Sequence, residues 1–286
     1  MISELETRNP EPKAKLSMSF LNIALGNYYP TDSVVHSLDP RLKIISLAVM
    51  MLITFAISDI ATVCLHTAVV LGLVLLSGIP LKVFYRGLRL FVFLFFFTAV
   101  LHLFFTPGTP VIELTAPVKI TITEEGISRG ALISWRLLTV IALSSLLTYT
   151  TSPLSITRGL ESLLAPLARL RFPVQDFSLM MMMAIRFIPV LTDETDRVWK
   201  AQRSRGADLR RGGLKVRAAT LMSIILPVFT GLFRRADELA IALEARGYVP
   251  GKPRSAMFPL KWRRADTAAL FGLVLWGSAV LVMVFR

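Results

Sequence analysis

The chain is poor in the residues with which proteins do covalent or redox chemistry. A single cysteine, Cys64, sits inside an apolar run, so no intrachain disulfide is available and the redox compartment stays open. The three histidines, His36, His66 and His102, are scattered without metal-ligand spacing and read as structural. No Ser/His/Asp or metal cluster assembles from spacing, and the few acidic residues in apolar context are unpaired. Gly247 to Pro253 contains Gly and Lys but has the wrong spacing for a nucleotide-binding loop and lacks the hydroxyl residue after Lys252. Charged residues at mid-membrane, the usual mark of a self-contained transporter, are almost absent from the apolar runs.

What the chain has in abundance is apolar length. Hydrophobic residues make up 54% of the 286, well above the share in a soluble domain, so this is an integral membrane protein. The net charge of +13 does not point to nucleic acid, because the cations gather between the apolar runs, in the positive-inside pattern. The fold class expected is all-α and membrane-embedded, with about five transmembrane helices plus long amphipathic cytoplasmic coupling helices.

The first fifteen residues are polar and lack the apolar core of a cleavable signal, and Leu16 to Tyr29 reads as a segment along the inner surface. Asp39 suits an N-cap and Pro40 the first helical position, with Arg41 and Lys43 marking the cytoplasmic side. Two spans follow, Leu42 to Ile57 and Ile60 to Gly78, broken by Ser58-Asp59. A basic loop with Lys82, Arg86 and Arg89 leads to a third, Leu90 to Phe105. Thr106 to Ser128, rich in proline and net acidic, reads as an outer loop, in which a hairpin at Val111 to Thr123 is not a convincing reading. A fourth span covers Ala131 to Tyr149, with Arg136 expected to snorkel to the outer interface. A fifth covers Thr267 to Phe285.

Between Ser152 and Arg264 the character changes: 20 Lys and Arg stand against 9 Asp and Glu, so this stretch holds +11 of the total charge. It is expected at the cytoplasmic surface. Ser152-Pro153 opens a short helix and Pro173 a long one. Two amphipathic patterns, about Val174 to Arg205 and Lys215 to Arg246, each carry an apolar stripe and an internal proline, Pro189 and Pro227, expected to kink them. Both close on the same phrase, Ala201-Gln202-Arg203-Ser204-Arg205-Gly206 and Ala242-Leu243-Glu244-Ala245-Arg246-Gly247, with the two glycines 41 residues apart. An Arg followed by a capping Gly ends many helices, and Arg86-Gly87, Arg129-Gly130 and Arg158-Gly159 also occur. The longer Ala-x-x-x-Arg-Gly phrase, repeated at the ends of two long helices, is what marks a working surface. The run Met180-Met181-Met182-Met183 suits core packing or an adaptable docking surface.

Taken together, Asp32-Ser33 through Leu38-Asp39-Pro40-Arg41-Leu42-Lys43, Thr150-Thr151-Ser152-Pro153, Arg186-Phe187-Ile188-Pro189 and the two Arg-Gly boxes, the second running on to Tyr248, resemble the transmembrane (T) component of energy-coupling factor transporters, the EcfT and CbiQ group. The resemblance covers nearly the whole chain; the first box reads Ser-Arg-Gly where Ala-Arg-Gly is commoner. It implies a scaffold joining two cytoplasmic ABC-type ATPase subunits to a small substrate-binding membrane S component, for vitamin or metal-ion uptake, in the prokaryotic cell (inner) membrane with a cytoplasmic N-terminus. The residues implied for ATPase coupling are Ala201, Arg205, Gly206, Ala242, Arg246 and Gly247. Met180, Met181, Met182, Met183, Phe229 and Phe233 are the candidates for S-component contact. No cofactor is expected on this chain; ATP would be bound by the partner ATPases, the chain would be no enzyme, and neither metal nor nucleic acid is expected. The organisation so implied is a tail and interfacial segment (1–35), a four-helix transmembrane region (36–150), a coupling region (151–264) and a C-terminal span (265–286). The competing readings are a lipid-processing membrane enzyme, which lacks a nucleophile or acid/base pair, a self-contained permease, and a structural anchor for a basic-surface complex.

Overall fold

A computed structural model of the chain describes residues 28–114, 120–170, 173–207, 213–251 and 260–284. The tail and the interfacial segment up to residue 27, and the middle of the basic connector, 252–259, lie outside the described residues. The chain divides into two compact units, one formed by the described parts of Asn27–Leu160 and Phe258–Arg286, the other by those of Glu161–Met257.

The first unit begins with a single turn, α1 (Val34–Ser37), followed by α2 (Pro40–Ala56). Asp39 caps α2 by accepting from the Arg41 amide at 2.9 Å, with Pro40 in the first turn where its missing N–H costs nothing. α3 (Ile60–Leu76) is capped in the same way by Asp59, which accepts from the Ala61 and Thr62 amides. Gly78, with φ of +67°, takes the left-handed turn after α3 that a β-carbon would disfavour. α4 (Leu81–Arg89) and α5 (Val92–Phe105) are bent by 54° at Leu90-Phe91, so the expected third span is the second limb of a broken helix.

The outer loop contains an antiparallel strand pair, β1 (Pro110–Leu114) and β2 (Ile120–Thr123), with a register irregularity between Pro110 and Ile112. The hairpin is real, although the prolines and the irregular register blur its alternation. β2 runs directly into α6 (Glu124–Thr150), whose cap Thr123 accepts from the Gly126 amide. The helix thus starts well before the apolar run expected at Ala131.

α6 is the centre of this unit and packs against α2, α3, α4 and α5, while the last helix, α10 (Arg264–Val284), packs on α2. Met50, Val70, Ala142 and Leu143 form one buried cluster, and Val74, Ile79, Phe84, Leu146 and Tyr149 another. Polar ties are buried among them. His66, fully buried, meets the Thr54 hydroxyl at 3.1 Å, and Thr54 in turn donates to the Met50 carbonyl at 2.8 Å, so His66 donates from Nε2. Arg136 finds a partner within the chain: its guanidinium donates to the Ile57 carbonyl at 2.8 Å. The end of α2 offers unpaired carbonyls at the negative end of its dipole, and these attract the cation.

At the other end of α2 lies a buried charged knot. The Asp266 carboxylate, 1% exposed, accepts from the Asp39 amide and the Arg263 amide, both at 2.7 Å. One side chain thereby caps α10 and holds the start of α2 beside it. The Lys43 ammonium, also buried, donates to the His36 and Thr150 carbonyls at 3.0 Å.

α7 (Pro153–Leu164), capped by Ser152, leads into the second unit, where a 3-10 stretch, Ala165–Leu170, precedes two long helices, α8 (Val174–Ser204) and α9 (Leu214–Ala245). Both remain continuous through their prolines, Pro189 and Pro227. By length and composition alone α6, α8, α9 and α10 are long and apolar enough to cross a membrane, as is the bent α4–α5 pair taken as one span. α2 and α3, at 17 residues each, are shorter than a typical span of about 20.

Candidate functional site: the paired helices and their Arg-Gly ends

α8 and α9 run antiparallel. Asp176 in the first turn of α8 meets the segment just past α9, accepting from the Tyr248 hydroxyl at 2.8 Å and the Gly251 amide at 3.1 Å. Further along, Met183, Arg186 and Phe187 face Leu239, Ala242, Leu243 and Arg246, and Arg235 pairs with Glu194 at 3.4 Å. The end of α9 therefore lies beside the start of α8. The end of α8 lies at the far end of the pair, on the order of 45 Å away for a helix of this length.

Each Arg-Gly box occupies one of those ends. Arg205 closes α8 and Gly206 turns with φ of +90°, its amide reaching back to the Arg203 carbonyl. Arg246 closes α9 and Gly247 turns with φ of +72°, its amide reaching back to Glu244, while the Tyr248 amide reaches Leu243. These are left-handed glycine caps that satisfy the last carbonyls of each helix. At both glycines a β-carbon would meet nothing within 4 Å, so the space beside each cap is open. Ala201, Arg205, Ala242 and Arg246 are all exposed.

The two boxes are thus alike in local geometry and not brought together. Antiparallel pairing sets one box at each end of the pair. The proposed S-component residues divide as well. Met180 and Met181 are exposed, and Phe229 and Phe233 lie with ring centroids 6.3 Å apart beside a hollow of about 420 Å³ shared with Phe187. Met183 instead lines a hollow of about 320 Å³ together with Arg246. Arg186 in that hollow and the Asp176–Tyr248 tie were not singled out from the sequence as site residues. The Arg186-Phe187-Ile188-Pro189 phrase was the available signal, and Arg186 four residues from Met182 gave no hint of its partner on α9.

Among the described residues no group of three or more His, Cys, Asp or Glu side chains is placed to hold a metal ion. The geometry is that of a helical, multi-pass membrane protein whose long helix pair presents two widely separated helix ends and an apolar helix face.

Comparison with known proteins gives the class its family. The profile of the CbiQ family, described as cobalt transport protein, matches residues 31–257. A protein of Thermanaerovibrio acidaminovorans named energy-coupling factor transporter transmembrane protein EcfT is 42% identical over 264 residues, covering 92% of this chain and 97% of that protein. Proteins of the same name from Thermosediminibacter oceani and Bacillus subtilis are 42% and 37% identical, covering 90% and 92% of this chain and 96% and 98% of their own lengths. The chain belongs to the CbiQ/EcfT family of transmembrane transporter components.

Proposed function

We propose that this chain is the scaffold through which two cytoplasmic ABC-type ATPase subunits drive a small substrate-binding membrane S component, with Arg205-Gly206 and Arg246-Gly247 as the two docking ends. The observation that carries this reading is the antiparallel pair with an open, glycine-capped Arg at each far end. Two such ends serve two like partners side by side, and a separation on the order of 45 Å leaves room for a protein at each.

The same pairing favours α8 and α9 lying along the inner surface. If they crossed the bilayer, one Arg-Gly end would emerge on each side, although cations flank both ends of the pair. Lying along the inner surface, both ends reach cytoplasmic partners, and the apolar faces, with Met180, Met181, Phe229 and Phe233, meet lipid and the S component. ATP binds to the partners and this chain holds no cofactor; closure of the ATPase pair moves the two ends relative to each other and changes the surface shown to the S component. The S component selects the substrate, a vitamin or metal ion.

The test is gentle extraction of the tagged chain, with partners identified by mass spectrometry and uptake measured in parallel. The wild type is expected to bring two ATPases and a small hydrophobic protein. The Arg205→Ala/Arg246→Ala variant should insert normally, lose the ATPases and lose uptake. Unchanged uptake in that variant rejects these residues as docking ends.

A further inference from the structure

Beside the second Arg-Gly end, α8 and α9 enclose a hollow of about 320 Å³ with an apolar floor of Met183, Phe187, Leu239 and Leu243. Two guanidiniums, Arg186 from α8 and Arg246 from the end of α9, line it, and no acidic side chain does. Two other cations of the pair do have acids beside them: Lys200 meets Asp196 at 2.7 Å and Arg235 meets Glu194 at 3.4 Å. Among the described residues the Arg186 and Arg246 side chains have no hydrogen-bond or ion-pair partner. Two unneutralised cations lining one hollow make a place for an anion that both can share.

We propose that Arg186 is the second arm of the Arg246 docking end, and that the hollow takes one carboxylate side chain from an apolar surface of the ATPase, held between the two guanidiniums. This rests on the reading of Arg246 as an ATPase-docking residue and adds to it the partner's chemistry and a second recognition residue. Each guanidinium offers a planar fork matched to a carboxylate, and a partner surface seated on the apolar floor would exclude water and strengthen the charged hydrogen bonds. The hollow, at about 320 Å³, has ample room for a carboxylate side chain. A protein partner is favoured over a lipid headgroup because the hollow adjoins Gly247, where a β-carbon would meet nothing within 4 Å, leaving room for an approaching backbone. The Asp176 carboxylate, by holding Tyr248 and Gly251, fixes the chain just past Arg246 and so its angle over the hollow.

The experiment places the full chain in nanodiscs of phosphatidylcholine alone and titrates it with the purified ATPase pair that the wild type carries out of the membrane. Arg186→Ala is expected to weaken binding about ten- to a hundredfold, the usual loss for a charged hydrogen-bonded contact. Arg186→Lys should recover only part of it, because an ammonium lacks the fork. Added to Arg246→Ala, Arg186→Ala should cost little more, whereas added to Arg205→Ala it should act in full, since only the first pair shares a hollow. If Arg246→Ala weakens binding and Arg186→Ala does not, this inference fails while the docking role of Arg246 stands. If neither matters, the docking reading itself fails. Full recovery by Lys overturns the shared-carboxylate geometry. An effect of Arg186→Ala that appears only when phosphatidylglycerol is present assigns the hollow to a lipid headgroup and overturns the protein partner.

Discussion

α6 and α9 are both long apolar helices, yet they end in different surroundings. In the most apolar stretch of α6, 28% is buried within the chain; in that of α9 the share is 6%. Along the whole of α8 only Val174 and Ser178 are buried, and along α9 only Ile224. The difference is one of neighbours, because α6 is wrapped by four helices and the long pair has essentially each other. A helix buried by its own chain is fixed by that chain. Within its own unit the long pair leaves most of its apolar faces uncovered.

If that contrast is right, removing polar ties should hurt the first unit far more than the second. The largest effect is expected for Asp266→Ala, which strips two amides of their acceptor at a buried position and leaves Lys43 without a nearby acid from α10. A loss of about 3 kcal/mol is expected, read as a clear drop in the melting temperature of the detergent-purified protein. Tyr248→Phe, which removes one half-exposed hydroxyl from Asp176, should cost about 1 kcal/mol. Its signature is local: faster hydrogen exchange at residues 248–251 with the melting temperature nearly unchanged. Arg235→Ala is the smallest, because the pair with Glu194 is solvent-exposed at 3.4 Å; a change of about 0.5 kcal/mol or less is expected. A melting-temperature drop for Arg235→Ala as large as that for Asp266→Ala would break the comparison.

The helix starts at Pro40 and Pro153 and the stops at Arg205 and Arg246 were legible because capping is local: the residues that decide it lie within a few positions of each other. So was the division between clean apolar spans and a basic, amphipathic middle. The hairpin was obscured by prolines that weaken its alternation. The partner of Arg136 was not legible because the Ile57 carbonyl lies 79 residues earlier, at the end of a different helix. The same reason hid the hollow shared by Arg186 and Arg246. Periodicity shows which face of a helix is apolar, but only the pairing direction shows which residue of the neighbour stands opposite.

The knot at Asp266 also bears on how the protein is made. Its partner, the Asp39 amide, precedes it by 227 residues, so the first membrane helix leaves the ribosome with an amide and a cation, Lys43, whose surroundings are completed only by the last helix. Until that final segment is synthesised and inserted, the start of α2 is an unfinished polar surface at the membrane. Because α10 is translated after α2, a chain halted before it leaves the buried Asp39 amide without its acceptor.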